Sequence, residues 1–131
     1  MYIFSKQDSE VLPREESQTS SLEEPIIICR NCHSHITKPA CQIQVDGGFC
    51  HAFANPHGHV FEIGCFDSAP GCAPASPASS EFSWFRGYSW KIGVCRDCET
   101  HIGWIFIPDQ TGSDLEKFRF FGLILDKLIF P

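Results

Sequence analysis

Two Cys-x-x-Cys pairs, Cys29-Arg-Asn-Cys32 and Cys95-Arg-Asp-Cys98, constrain this chain more than any other feature. Two residues between thiolates let both sulfurs of one tight turn reach a single tetrahedral ion. Two such turns supply four ligands, the donor set of a closed, structural Zn²⁺ site. A thioredoxin-like redox pair needs only one such motif, set at the start of a helix in a βαβ unit, and no such unit is visible. The expected ion ties the start of the folded region to its last third.

The other four cysteines (Cys41, Cys50, Cys65, Cys72) have no motif spacing and read as free, mostly buried thiols. A chain of 131 residues suggests one domain with a modest core, which a metal staple strengthens. Residues 1–24 carry six acids against Lys6 and Arg14 and have few apolar anchors, so they read as a flexible acidic tail, with the folded domain at 25–131. The net charge of −6 and the lack of a basic stripe argue against nucleic acid as a partner. Met1 to Glu10 lacks the apolar run of a signal peptide, and no stretch approaches the roughly 20 apolar residues of a membrane helix. Zinc-bound thiolates suit a reducing cytoplasm, the expected location.

Short β-branched and alternating runs divided by Gly and Pro predict strands throughout. Ile26 to Ile28 feeds the first knuckle, and His33 to Thr37 leaves it. Gln42 to Val45 and Phe49 to Phe53 flank Asp46-Gly47-Gly48 and predict a hairpin. Asn55-Pro56-His57-Gly58 is a turn before a strand over His59 to Phe66. Residues 67–80, with three prolines and four serines, read as a loop unsuited to a ladder or a helix. Tyr88 to Val94 and Ile102 to Ile107 are strands on either side of the second knuckle. Asp109 to Glu116 is a polar turn. Phe118 to Leu125 returns to the sheet, or alternatively forms an amphipathic helix through Leu128; periodicity does not decide. The expected class is all-β, with sheets held together at one end by zinc.

All three tryptophans, Trp84, Trp90 and Trp104, fall in the stretch 84–104 that also holds the second cysteine pair. Period two puts Trp104 and Phe106 on one face of their strand. If the strands through Trp90 and Trp104 pair, three indoles and a phenyl can converge. The plain alternative is a packed core. Against it, indole N–H groups want partners, and Trp84 sits in a loop-like stretch. An aromatic cage edged by backbone amides suits a small, flat, neutral ring. Such cages also take quaternary ammonium ions, but no acid is securely placed inside this one.

These residues carry a resemblance. In order they are Cys29/Cys32, Asn55-Pro56-His57-Gly58, Ser83 to Trp90, Cys95/Cys98, His101 to Trp104 and Phe121-Gly122-Leu123. This series resembles the thalidomide-binding (CULT) domain family of cereblon over roughly residues 25–128. The resemblance implies a β-tent, two antiparallel sheets pinned by one structural Cys₄ zinc. It implies a ligand cage of Trp84, Trp90 and Trp104 with Phe106 as its floor. A cyclic imide such as glutarimide would pair with backbone around Phe82, Ser83 and Trp84, and Asn55 would touch the rim. Uracil-like rings and protein C-termini bearing cyclic imides are ligands of similar shape. The family has His where this chain has Phe82, which keeps backbone pairing but loses a side-chain contact. The Lon-like portion that docks cereblon to a ubiquitin ligase has no counterpart in these 131 residues. Ligase docking is therefore not expected, and the chain looks like a single-domain bacterial form.

A rival of another class shares the expected fold, a methionine sulfoxide reductase of the B type. Its nucleophilic cysteine belongs in the last strands, and no cysteine follows Cys98. One of Cys41, Cys50, Cys65 and Cys72 would have to stand in, with no visible activating base. A binding module, not an enzyme, is the expectation. The six histidines read as surface or loop residues, with His101 supporting the knuckle.

Overall fold

The computed structural model describes residues 24–109 and 118–131. The described residues form nine strands in two antiparallel sheets and no α-helix. Strands β1 (Ile27–Cys29), β2 (His35–Thr37) and β9 (Leu128–Ile129) make a small sheet in the order β2-β1-β9. The larger sheet has the order β3-β4-β8-β7-β6-β5. Its members are β3 (Cys50–Ala54), β4 (Val60–Phe66), β5 (Cys72–Pro74), β6 (Tyr88–Cys95), β7 (His101–Pro108) and β8 (Phe120–Ile124).

The large sheet is covered on both faces. Between it and the small sheet lie Ile27, Ile36, Phe66, Ile102, Ile105, Phe121, Leu123 and Leu128. On its other face Ile63, Phe85, Trp104, Phe106, Phe120 and Ile124 form a second cluster. β8 runs between β4 and β7, and all five of its residues are buried. A strand buried on both sides loses its alternation, which is why periodicity could not separate strand from helix there. The strand reading holds, and the chain then makes a 3₁₀ turn at Leu125–Lys127 before β9.

Two local readings are corrected. Gln42 to Val45 does not pair with β3. The Asp46-Gly47 turn forms, and Val45 and Gly48 close it. The preceding segment instead joins the end of β4, through a Gln42–Phe66 bridge and Ile43 N–H donating to Cys65 O at 3.0 Å. β3 pairs with β4 around the Asn55 turn. Residues 67–80 are no bare loop either. Cys72–Pro74 pairs with β6, and Ser79 bridges Trp90. The prolines are tolerated because this is the sheet's edge, where a missing N–H breaks no ladder. The 1–24 tail, apart from Glu24, and the 110–116 part of the polar turn lie outside the described residues.

Candidate ligand cage and metal centre

The two knuckles are built alike. In each, the fourth residue of Cys-x-x-Cys is followed by one in the left-handed region, His33 (φ 65°) and Glu99 (φ 63°). In each, that residue's N–H donates to the carbonyl of the first cysteine, at 2.8 Å. The first cysteine's N–H then donates to the carbonyl two residues past the motif, Ser34 or Thr100. The hydroxyls of Ser34 and Thr100 lie 3.1 Å from the Sγ atoms of Cys32 and Cys98. The likeness is written in the sequence as a short repeat, Cys29-Arg-Asn-Cys-His-Ser-His-Ile36 against Cys95-Arg-Asp-Cys-Glu-Thr-His-Ile102. Reading the cysteines alone misses it.

The four Sγ atoms of Cys29, Cys32, Cys95 and Cys98 lie within 4.8 Å of one another. Cys29 and Cys98 are 3.7 Å apart, and Cys32 and Cys95 are 3.6 Å apart. Tetrahedral Zn–S bonds of about 2.3 Å separate sulfurs by roughly 3.8 Å, so the set fits such an ion with little adjustment. Burial pushes the Cys29 thiol up to about 11, against the amides of Cys32 and Asn31. The Asn31 side chain, then Thr100, bring Cys98 down to about 6. For Cys95, burial is outweighed by the Ser34 hydroxyl and the amides of Cys98 and Asp97, and its thiol is lowered. The cluster thus mixes acidic and reluctant thiols, and a divalent cation removes that conflict by displacing the remaining protons.

On the face of the large sheet away from the small one lies a cavity of about 490 Å³, within the usual range for small-molecule sites. Trp84, Trp90, Trp104 and Phe106 line it, as do Asn55 and Phe82. Trp90 and Trp104 come from the paired strands β6 and β7. Trp90 sits opposite Phe106 and Trp104 opposite Ile92, so all four point to one face. Phe106 is 1% exposed and forms the floor. It lies over Gly122, where a Cβ would come within 2.7 Å of its ring.

The third indole depends on an anchor that the sequence reading missed. Phe85, 1% exposed, plugs the loop between β5 and β6 into the core. Its ring makes edge contacts with His51, Phe53, Phe106 and Phe120 at 4.9–5.3 Å between centroids. Trp84 then stacks on Phe53 at 5.0 Å and meets Trp104 edge to face at 4.7 Å. Its Nε1–H donates to Ala54 O at 3.1 Å, and Trp90 Nε1–H donates to Glu81 O at 2.8 Å. Both indole N–H groups are thereby spent on backbone, and both indoles line the cavity.

The rim is polar where the ladder is interrupted. Phe82 is 72% exposed and has φ 56°, an outlier for a bulky side chain. Among the described residues, the backbone N–H and C=O groups of Phe82 and Trp84 have no hydrogen-bond partner. The Asn55 side-chain oxygen accepts from the N–H groups of His57 and His59, at 3.0 and 2.9 Å. Among the described residues its amide nitrogen has no hydrogen-bond partner. Ser83 does not line the cavity; its hydroxyl donates to Phe85 O at 3.2 Å. Phe61, Glu81 and His101 line the cavity without having been singled out for it. His101 packs edge-on against Trp104 at 4.8 Å and bonds Gly103 O at 3.0 Å, so it supports the cage as well as flanking the knuckle. Glu81 is the acidic residue among the lining, and its backbone carbonyl is the one that Trp90 bonds.

No cysteine lines this cavity. Cys65 and Cys72 are buried free thiols, and burial pushes each up to about 12. Cys41 is half-buried and Cys50 exposed, so the expectation of mostly buried thiols holds for two of the four.

No family model matches the chain. Curated proteins similar to it include several cereblons. The chicken (Gallus gallus) protein is 37% identical over 78 residues, 60% of this chain and 17% of its own length. The zebrafish (Danio rerio) protein is 38% identical over 78 residues, and the one from Drosophila erecta is 32% identical over 104, which is 77% of this chain. The chain spans about a sixth of the length of these relatives.

Proposed function

We propose, on the premise that this chain is a cereblon-like CULT domain homologue, that it is a non-catalytic receptor for small cyclic imides. Residues 25–131 would act as one zinc-braced binding domain. The observation that carries the reading is an open cavity walled by three indoles and edged by unpaired backbone. A glutarimide ring presents two flat faces and an edge of alternating carbonyl and N–H groups. Trp84, Trp90 and Trp104 would cover the faces, with Phe106 beneath. The free carbonyl and amide groups of Phe82 and Trp84 would read the edge. The amide nitrogen of Asn55 would donate to a carbonyl at the rim. Uracil-like rings and cyclic imides at protein C-termini share this edge and are the other ligands proposed. Cys29, Cys32, Cys95 and Cys98 would hold one structural Zn²⁺, which supplies no chemistry beyond bracing the two knuckles.

Glu81 favours a second occupant on a specific ground. Aromatic walls with an acidic residue in the lining are a composition that a quaternary ammonium ion also suits. Titration of intrinsic tryptophan fluorescence separates the two. Millimolar glutarimide is expected to quench the emission saturably and raise the thermal midpoint, whereas choline leaves both unchanged. A response to choline alone selects the cationic reading, and no response to glutarimide rejects the imide reading. The sulfoxide reductase rival predicts turnover of methionine sulfoxide with a thiol reductant. None is expected here, since the cage contains no thiol.

A further inference from the structure

The reverse face of the same strands carries a second cavity, of about 250 Å³. By strand alternation, Lys91 points away from the cage that Trp90 and Ile92 face. Lys91, Arg96 and Arg119 all line this cavity, and among the described residues no carboxylate does. The chain has 16 Asp and Glu against 10 Lys and Arg, so three cations without an acid depart from its overall balance. None of the three forms an ion pair with a carboxylate among the described residues.

The two arginines are held in place in ways that leave donors free. Arg96 gives its backbone N–H to Gly71 O at 2.8 Å and its Nε–H to Pro70 O at 3.1 Å. Its partner in the knuckle repeat, Arg30, also gives its Nε–H to backbone, but then spends a terminal nitrogen on Leu128 O as well. Among the described residues the terminal nitrogens of Arg96 have no such partner. Arg119 lies over the Phe121 ring at 5.3 Å, a contact that positions the guanidinium and uses none of its N–H groups. The Ser68 hydroxyl adds a donor from a loop fixed by Thr37, whose Oγ1 donates to Ser68 O at 2.6 Å. Ile105 and Phe121, both buried, form an apolar wall on one side, which strengthens the field of the cations.

We propose that this reverse-face cavity binds a phosphate dianion. Three cationic residues lining one cavity, from β6, the second knuckle and the residue before β8, match an ion with several acceptor oxygens and two charges better than a carboxylate. The phosphate can be free or the head of a small ester whose apolar part rests on Ile105 and Phe121.

The test is ¹⁵N chemical-shift titration of the zinc-loaded protein with inorganic phosphate, phenyl phosphate and acetate at matched ionic strength. Saturable shifts are expected at residues 68–72, Lys91 and Arg96 with both phosphates, and none with acetate. Tighter binding of phenyl phosphate identifies an ester as the fitting ligand, and equal affinity identifies free phosphate. Lys91→Gln and Arg119→Gln, both remote from the cysteines, should each weaken binding about tenfold, one charge-assisted contact. Their glutarimide response should be unchanged, which verifies the fold. Absence of saturable shifts with either phosphate, equal shifts with acetate, or unaltered affinity in both variants would overturn the proposal.

Discussion

Single side chains decide whether the cage stays open. Trp84 has Phe53 behind it and its N–H on Ala54, so its orientation is fixed from outside the cavity. Trp84→Ala should weaken glutarimide binding by about 1–3 kcal/mol, as for loss of one stacking wall, and calorimetric titration reads this directly. The change leaves the Phe85 anchor intact, so the fold should persist. His101 belongs to this scale as well. Burial lowers its pKa, partly opposed by the Gly103 hydrogen bond. The unfolded chain then binds the proton first, so stability rises with pH across the window below the ordinary histidine value. The contribution is full above about pH 6.5 and is lost as pH falls through the lowered folded value. Thermal midpoints should fall on acidification through that window, and less steeply in His101→Phe. Equal slopes in the two proteins would show that this imidazole does not titrate with folding.

Individual strands and loops show what the sequence could and could not tell. Strands with one buried face, or attached to a cysteine pair, were legible because alternation or ligand spacing marks them. The clustering of the four motif cysteines and the Trp104–Phe106 face were legible for the same reason. The edge strand Cys72–Pro74 was hidden by prolines that only an edge tolerates. The Gln42 segment was misassigned because a tight turn with flanking alternation looks the same whether it closes a hairpin or merely caps a bend. Phe85 was invisible because nothing local separates a buried loop Phe from an exposed one; only its four ring neighbours, distant in sequence, do so. The junction of the two sheets gives a sharp test at this scale. Gly71 N–H donates to Ile36 O at 2.9 Å, and a Cβ on Gly71 would lie 2.2 Å from His35 O. Gly71→Ala forces the 67–71 loop off β2 and should cost about 1–3 kcal/mol by overpacking. A denaturant midpoint equal to that of the unmodified protein would contradict this junction.

At the scale of the whole molecule, a modest core is split over two faces of one sheet, and the small sheet has only three short strands. The four cysteines tie that sheet to β6 and β7, the strands that carry two of the three indoles. Metal, fold and cage should therefore be lost together. A strong chelator, or Cys95→Ser, should abolish metal content, the cooperative thermal transition and the glutarimide response in parallel. A folded, metal-free Cys95→Ser protein would separate the brace from the fold. The central claim is that the braced indoles stand open around a site for a flat ring. Its most direct test is a crystal structure of the zinc-loaded protein with glutarimide. The account predicts the ring between Trp84, Trp90 and Trp104, with its N–H and carbonyl on the backbone of Phe82 and Trp84. A ring bound elsewhere, or indoles closed against one another at saturating ligand, would contradict it.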